Sequence, residues 1–193
     1  MADYCTLAEL KTYIGTDESG DDDLLNDLIT RASSRIDRYC NRTFVARTET
    51  RKFDAVADVD GPTLFVDDDL LAITTLTNGD GTVLTASDYV LKPSNETPKY
   101  GVKLLASSSE SWTYQTDPEE AISILGSWGY ANTQPEDIRQ ACIRLSAWYY
   151  AQRDAPFETQ GFPELGAVTV PTAMPDDTKL ILNFYVRDVI GGI

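Results

Sequence analysis

Apolar residues recur at helical spacing in three stretches of the chain, near residues 10, 30 and 145. Residues 6–14 begin with the T-x-x-E pattern of a capping box, formed by Thr6 and Glu9, and end before Gly15. Residues 21–42 begin with three aspartates and then carry an apolar residue every three or four positions. Residues 135–154 begin at Pro135, which suits the first turn of a helix. The pattern therefore predicts one short helix followed later by two long amphipathic helices.

The two long helices have apolar faces of similar length, which need to be removed from water. The simplest arrangement packs these faces against each other. We therefore predict a helical bundle with Leu28, Ile36, Leu145 and Trp148 in its core.

Between residues 45 and 130 the pattern changes to short runs of β-branched and aromatic residues separated by turn residues. Asn78-Gly79-Asp80-Gly81 lies between two such runs and is a strong hairpin signal, because these residues tolerate positive φ. The pattern predicts an antiparallel β insertion between the second and third helices. Its predicted strands are 48–53, 63–66, 72–76, 83–84, 89–91, 102–105 and 121–126.

The C-terminal residues carry proline and glycine too often for a continuous helix. Residues 156–174 are predicted to run extended, with Val168-Thr169-Val170 able to add a strand to another chain. Residues 176–190 then predict a helix with an apolar stripe. The predicted partner-binding residues are Val168, Val170, Leu180, Ile181, Phe184 and Tyr185. The alternative is that this segment folds back onto its own bundle.

Together these elements predict an α+β protein that is mainly an α-helical bundle, with an antiparallel β insertion and an extended C-terminal arm ending in a helix. We expect one domain over residues 1–154, with the insertion at about 45–130, and the arm and its helix over 155–193.

The charge and the missing residue types narrow the function. Sixteen Lys and Arg against 31 Asp and Glu give a net charge of −15, which disfavours binding to DNA phosphates or to an anionic membrane surface. There is no histidine and no nucleophile, P-loop or dinucleotide motif, so we expect no catalytic residues and no enzyme activity. Cys5, Cys40 and Cys142 are widely spaced and are expected to be reduced thiols. No signal peptide or membrane span is expected.

Three clusters have both a functional and a structural interpretation. Asp67-Asp68-Asp69 is able to hold a divalent cation, but a solvated turn is favoured, and no metal or cofactor is predicted. Arginines at 31, 35, 38 and 42 form either a basic patch or a solvated helix face. Aromatics such as Trp128 are able to stack on sugars or bases, but core positions are favoured.

Several strings, in order, resemble the head–tail connector (adaptor) proteins of long-tailed double-stranded DNA bacteriophages. The opening T-L-A-E-L-K-T-Y-I-G is followed by a long helical run that ends in Asn41-Arg42-Thr43-Phe44. The insertion contains L-T-N-G-D-G-T, D-Y-V-L-K-P and G-S-W-G-Y, and residues 135–154 read P-E-D-I-R-Q-A-C-I-R-L-S-A-W-Y-Y-A-Q-R-D. The resemblance covers residues 4–154.

The resemblance implies an architectural role in the virion neck, at the head–tail interface, for a protein made in the host cytoplasm. It implies a twelve-fold homo-oligomeric ring below the portal protein, which extends the DNA channel and docks the stopper or a tail-completion protein. Genomic DNA would pass through the channel without specific binding. The alternative from another class is a carbohydrate- or protein-binding accessory (decoration) module of a virion.

Overall fold

The chain folds into two compact units, seen in a computed structural model that describes residues 2–153 and 174–187. The first unit is drawn from residues 1–41 and 134–193 and contains the helices, and the second comprises residues 42–133 and contains the strands. The helices are α1 (Leu7–Ile14), α2 (Asp22–Cys40), α3 (Glu136–Gln152) and α4 (Asp176–Asn183). The strands are β1 (Arg47–Phe53), β2 (Val59–Asp60), β3 (Thr63–Thr77), β4 (Val83–Leu84), β5 (Tyr89–Lys92), β6 (Lys99–Leu104) and β7 (Ile122–Trp128).

Local signals determine the ends of the first helix, as the sequence predicts. The Glu9 backbone N–H donates to Thr6 Oγ1 at 3.3 Å, and the Thr6 N–H donates to Glu9 Oε2 at 2.8 Å. Gly15 adopts the left-handed conformation at φ 74° and ends the helix. The predicted capping box is therefore confirmed.

The two long helices pack against each other, with α1 against both. Leu28, Ile36 and Leu145 are buried, as predicted. Trp148 is half-buried, so its prediction as a core residue is wrong. The buried stripe of α3 runs through Ile138, Ala141, Cys142, Leu145 and Ser146, and Trp148 lies at its edge.

All three cysteines lie in the interior of this first unit as free thiols. Cys5 Sγ lies 3.3 Å from Cys142 Sγ, and Ser33 Oγ lies 3.4 Å from Cys142 Sγ. Ser33 also accepts a hydrogen bond from the Tyr4 backbone N–H at 3.0 Å. These contacts attach the segment before α1 to both α2 and α3.

The second unit is a seven-stranded antiparallel sheet with the order β1-β7-β3-β6-β5, while the short β2 and β4 also pair with β3. Alternate residues of these strands face a hydrophobic core of their own. This core comprises Phe53, Ala55, Leu64, Val66, Leu70, Leu76, Leu84, Val102, Leu104, Ile122, Ile124 and Trp128. The predicted hairpin is present, since the Asn78 N–H donates to the Thr82 carbonyl at 2.8 Å and Gly81 has φ 89°.

The predicted fold class is wrong, because it overestimates the helical part of the protein relative to the sheet. The protein is a mixed fold with a large antiparallel sheet and four helices in its described residues, and it is not mainly a helical bundle. The predicted strands 63–66 and 72–76 are parts of one 15-residue strand, β3. Three consecutive aspartates suggested a turn between them, but irregular pairing at Phe65–Leu70 lets the strand continue through them. β3 then pairs with β2, β4, β6 and β7 and organises the sheet.

Candidate interaction surfaces

The last helix, α4, packs against α2 and α3 of its own unit. Thr178 and Leu182 are completely buried, and Met174, just before the helix, is also buried. Tyr39 donates its hydroxyl proton to Asn183 Oδ1 at 2.7 Å, and the Arg187 backbone N–H donates to the Cys40 carbonyl at 2.8 Å. An ion pair joins Arg144 of α3 to Asp177. This part of the C-terminal segment therefore folds back onto its own bundle, which was the alternative left open by the sequence.

The predicted apolar stripe of this helix is divided between the interior and the surface. Leu180 is 65% exposed and Phe184 is 89% exposed. Ile181 and Tyr185 are half-buried, and the Tyr185 hydroxyl donates to Asp137 Oδ2 at 3.2 Å. Val168 and Val170 lie outside the described residues. The structure thus brings two of the six predicted residues together on one exposed apolar surface, formed by Leu180 and Phe184.

Sequence reasoning missed Leu182, which anchors the helix. Thr178 and Leu182 are four residues apart, so they lie on one face of α4, and this spacing was visible in the sequence. Leu180 and Ile181 offered a second, overlapping apolar face. The sequence pattern does not say which of the two faces has a partner within the chain.

The three aspartates at 67–69 form an ion-pair cluster inside the sheet unit, and the favoured solvated turn is wrong. Asp68 and Asp69 are buried, with 8% and 4% of their surface exposed. Asp68 Oδ2 lies 2.6 Å from Arg47 Nη2 and 2.8 Å from Arg51 Nη2. Arg42 Nη1 lies 3.3 Å from Asp69 Oδ2. Arginines therefore compensate the negative charge that a cation would otherwise have to neutralise.

The sequence held a signal for this ion-pair cluster. Arg47, Glu49 and Arg51 alternate along β1, so their side chains project from one face of the strand. Glu49 bridges the two arginines at 3.1 Å and 2.6 Å. In the sheet, β7 lies between β1 and β3. The sequence does not show that β1 and β3 lie one strand apart, so only the fold brings this face of β1 next to the aspartates of β3.

Trp128 lies beneath this ion-pair cluster and is completely buried. The Arg51 guanidinium carbon lies 5.2 Å from the centre of its ring, and its indole N–H donates to the Glu49 carbonyl at 3.1 Å. Trp128 is therefore a core residue, as favoured from the sequence, and it has no exposed face on which a sugar could stack.

We expect the ion-pair cluster to make stability fall in acid. Burial alone would raise the pKa of Glu49, but hydrogen bonds from Arg47 and Arg51 outweigh this and hold the pKa below its ordinary value of 4.5. The carboxylate is thus more favoured in the folded state than in the unfolded state. Its contribution is present above the unfolded-state pKa and is lost as the pH falls through the lower folded-state pKa.

Glu49→Gln should therefore lower the free energy of unfolding at pH 7 and flatten its pH dependence between about pH 5 and pH 3. The effect is about 0.5–1 kcal/mol, because the side chain is one-third exposed and water screens the charges. Urea unfolding at a series of pH values measures it. Glu119→Gln, a change of an exposed carboxyl group outside the cluster, is the control. An unchanged acid slope in Glu49→Gln would contradict this account.

Within residues 2–153 and 174–187, no group of three or more acidic or cysteine side chains is arranged to hold a metal ion. None of the helices in these ranges is both long enough and apolar enough to cross a bilayer.

The described residues thus form a helical unit, whose last helix carries an exposed apolar surface, and an antiparallel sheet unit. The sequence matches the head completion protein family over residues 3–188, and the chain belongs to this family. This membership confirms the resemblance to head–tail connector proteins and places the protein in the virion. Comparison with curated proteins found no match.

Solved structures with the same fold come from gene transfer agent particles. A chain in the neck of the native particle, computed with C12 symmetry, is 17% identical with a TM-score of 0.61, and the match covers 97% of this chain and 92% of that chain. A chain in the neck of the empty particle, computed with C6 symmetry, is 18% identical with a TM-score of 0.61 and the same coverage. A chain of the native virion is 20% identical with a TM-score of 0.62, covering 96% and 91%. At these identities the likeness concerns the fold.

Proposed function

We propose that this protein is a non-enzymatic head–tail connector in the neck of the virion. Copies form a ring below the portal protein, extend the DNA channel and provide the docking surface for the stopper or a tail-completion protein. Membership of the head completion protein family and the shared fold with chains of a particle neck support this location. The C12 symmetry applied to one of those necks supports a twelve-fold ring.

The observation that carries this proposal is the exposed apolar surface of α4. A helix that is anchored by Leu182 and by polar contacts on one side holds Leu180 and Phe184 in fixed positions on the other. Leu180 and Phe184 lie one helical turn apart, so they form one exposed apolar patch, and such patches mark protein–protein contacts. We propose that this surface contacts the portal, with a neighbouring subunit as the other candidate, and that Ile181 and Tyr185 lie at its margin.

Passage of DNA without specific binding is the second part of the proposal. The net charge of −15 opposes the accumulation of phosphate at the protein surface. A channel wall of this charge would let the genome move through without holding it.

The double substitution Leu180→Glu with Phe184→Glu in the full chain tests the role of α4. We expect the free subunit to remain folded, because both side chains are exposed, and we expect at least tenfold weaker binding to the portal or a loss of rings. Sedimentation velocity and negative-stain images measure ring formation, and co-sedimentation with portal rings measures docking.

The matched control is Val56→Glu with Val83→Glu, which changes two exposed apolar residues of the sheet unit. The control should assemble normally. If the α4 variant forms rings and binds the portal as the unchanged protein does, this surface has no part in assembly.

A further inference from the structure

Cys5 and Cys142 bring two thiol groups into contact in the interior of the helical unit. Their sulfur atoms lie 3.3 Å apart, although the residues are 137 positions apart in the chain. Cys142 is completely buried, and Cys5 is 5% exposed. The S–S bond of a disulfide is about 2.05 Å long, so a movement of about 1.3 Å brings the two sulfur atoms to bonding distance. The fold therefore places these two thiols where a disulfide can form.

Hydrogen bonds hold both cysteines in place. Cys142 lies in the middle of α3, and Ser33 of α2 places its Oγ 3.4 Å from Cys142 Sγ. Cys5 follows Tyr4 in the segment before α1. The Tyr4 backbone N–H donates to Ser33 Oγ at 3.0 Å, and the Tyr4 carbonyl accepts a hydrogen bond from Gln134 Nε2 at 3.2 Å. The contact between the sulfur atoms is thus fixed by the packing of three separate segments.

The surroundings favour Cys142 as the thiolate of the pair. The Cys5 thiol donates a hydrogen bond to Cys142 Sγ. This bond, supported by the Ser33 hydroxyl group, holds the pKa of Cys142 below its ordinary value, although burial acts in the opposite direction. The thiolate is the nucleophilic form of cysteine, so Cys142 is the sulfur that attacks an oxidant.

Cys40, the third buried cysteine, lies in another part of the helical unit. Its thiol donates to the Leu182 carbonyl at 3.7 Å. Ser33, which contacts Cys142, comes seven residues earlier on α2, and this separation is about 10 Å along the helix axis. Among the three cysteines, Cys5 and Cys142 are therefore the two that are placed to react with each other.

We propose that Cys5 and Cys142 form an intramolecular disulfide in the assembled virion, and that this bond closes the helical unit covalently. Family membership places the protein in the virion. Thiols are kept reduced in the cytoplasm, whereas disulfides persist in virions outside the cell. The helical unit is drawn from residues 1–41 and 134–193, which the chain connects only through the sheet unit. The disulfide joins these two segments directly, whether or not the protein forms the proposed ring.

The bond forms in two steps with hydrogen peroxide as the oxidant. The Cys142 thiolate attacks one peroxide oxygen, so that an S–O bond forms, the O–O bond breaks, and hydroxide leaves and takes up the proton that Cys142 has lost. Cys5 then attacks the sulfur of this sulfenic acid. The S–S bond forms, the S–O bond breaks, and hydroxide leaves with the Cys5 proton as a second water. Two electrons pass from the two sulfur atoms to the peroxide, and the second step is effectively unimolecular because the sulfur atoms are already in contact.

Burial is the argument for an unreactive pair, since oxidants do not easily reach buried cysteines. Cys5, however, belongs to the segment that precedes the first helix. Local opening of such a segment costs less free energy than global unfolding, and it admits a molecule as small as hydrogen peroxide. Burial therefore slows the oxidation without preventing it.

Oxidation of the folded full chain tests the pairing. The protein is purified with dithiothreitol, freed of it, exposed to hydrogen peroxide, and then unfolded and alkylated with iodoacetamide. Mass spectrometry should find three alkylated cysteines before oxidation and one, Cys40, after it. Peptide mapping without reductant should recover two peptides joined through Cys5 and Cys142. Circular dichroism should show a melting temperature at least about 5 °C higher, reversed by dithiothreitol, because the bond closes a long loop.

Two variants serve as matched controls. Cys40→Ala keeps the pair, so oxidation should leave it with no alkylated cysteine and the same rise in melting temperature. Cys5→Ser keeps a hydrogen-bond donor for Cys142 but has no second thiol. It should form no intramolecular disulfide and show no rise. Each variant is compared with its own reduced form, which separates the effect of oxidation from any effect of the substitution on folding.

Several outcomes would contradict the pairing. The unchanged protein might keep three alkylated cysteines after oxidation, or form sulfinic and sulfonic acids in place of the disulfide; either result shows that the pair does not close. A disulfide to Cys40 or between two chains also overturns it. A bond between Cys5 and Cys142 that leaves the melting temperature unchanged refutes the covalent closure of the helical unit. Ring formation and portal binding are measured separately, so failure of the proposed function leaves the pairing standing.

Discussion

Replacing Trp128 by alanine should lower the free energy of unfolding of the sheet unit by about 3–5 kcal/mol, the loss usual for a large buried aromatic. Trp128 is completely buried, with its ring centre 6.0 Å from that of Phe53. Its removal leaves a cavity in the core. It also takes away the support of the Arg51 guanidinium and the hydrogen bond to the Glu49 carbonyl.

Far-UV circular dichroism during urea unfolding measures this loss without depending on tryptophan fluorescence. Tyr100→Ala, which removes an aromatic ring that is 46% exposed, should cost less than about 1 kcal/mol. Trp128→Phe should fall between the two, because it keeps an apolar ring but leaves the Glu49 carbonyl without its donor. A loss below 1 kcal/mol for Trp128→Ala would show that the core is not centred on this residue.

Leu182→Ala should destabilise the helical unit by about 2–5 kcal/mol, whereas Leu180→Ala should change its stability by no more than about 0.5 kcal/mol. The two leucines lie two positions apart on α4, and the same atoms are removed in each substitution. Leu182 is completely buried against α2 and α3, and Leu180 is 65% exposed. Only the first substitution leaves a cavity.

Denaturant unfolding of the two variants, together with their ring formation, distinguishes folding from assembly. We expect Leu182→Ala to be less stable. We expect Leu180→Ala to remain stable but to assemble less well, since it trims the exposed surface proposed to bind the portal. Equal stability of the two variants would show that α4 is not anchored on its own bundle.

The local elements could be predicted because their signals lie within a few residues of each other. The capping box of Thr6 and Glu9 and the hairpin at Asn78 each depend on contacts within a turn or two. The long helices α2 and α3 follow from the spacing of their apolar residues. The family resemblance came from an ordered set of such local strings, and family membership confirms it.

The interaction surface could be predicted only in part. Leu180 and Phe184 are exposed as an interaction surface requires, but Leu182 was missed, and Ile181 and Tyr185 are half-buried. Two apolar faces overlap on α4. The positions of α2 and α3 determine which face of α4 is buried. The spacing of apolar residues within α4 does not encode those positions. The same limit explains the wrong prediction for Trp148. The burial of this residue depends on how much of the α3 surface the neighbouring helices cover.

The sequence by itself determined the capping box, the helical periodicity and the hairpin, since each follows from the identity of residues close together in the chain. Only the tertiary structure decided that β3 continues through Asp67–Asp69, because the arginines that compensate these charges come from 16 to 27 positions earlier in the chain. A buried carboxylate is unfavourable alone and acceptable when cations are placed beside it. Pairing across the sheet supplies those cations, and pairing between distant strands is a property of the whole fold.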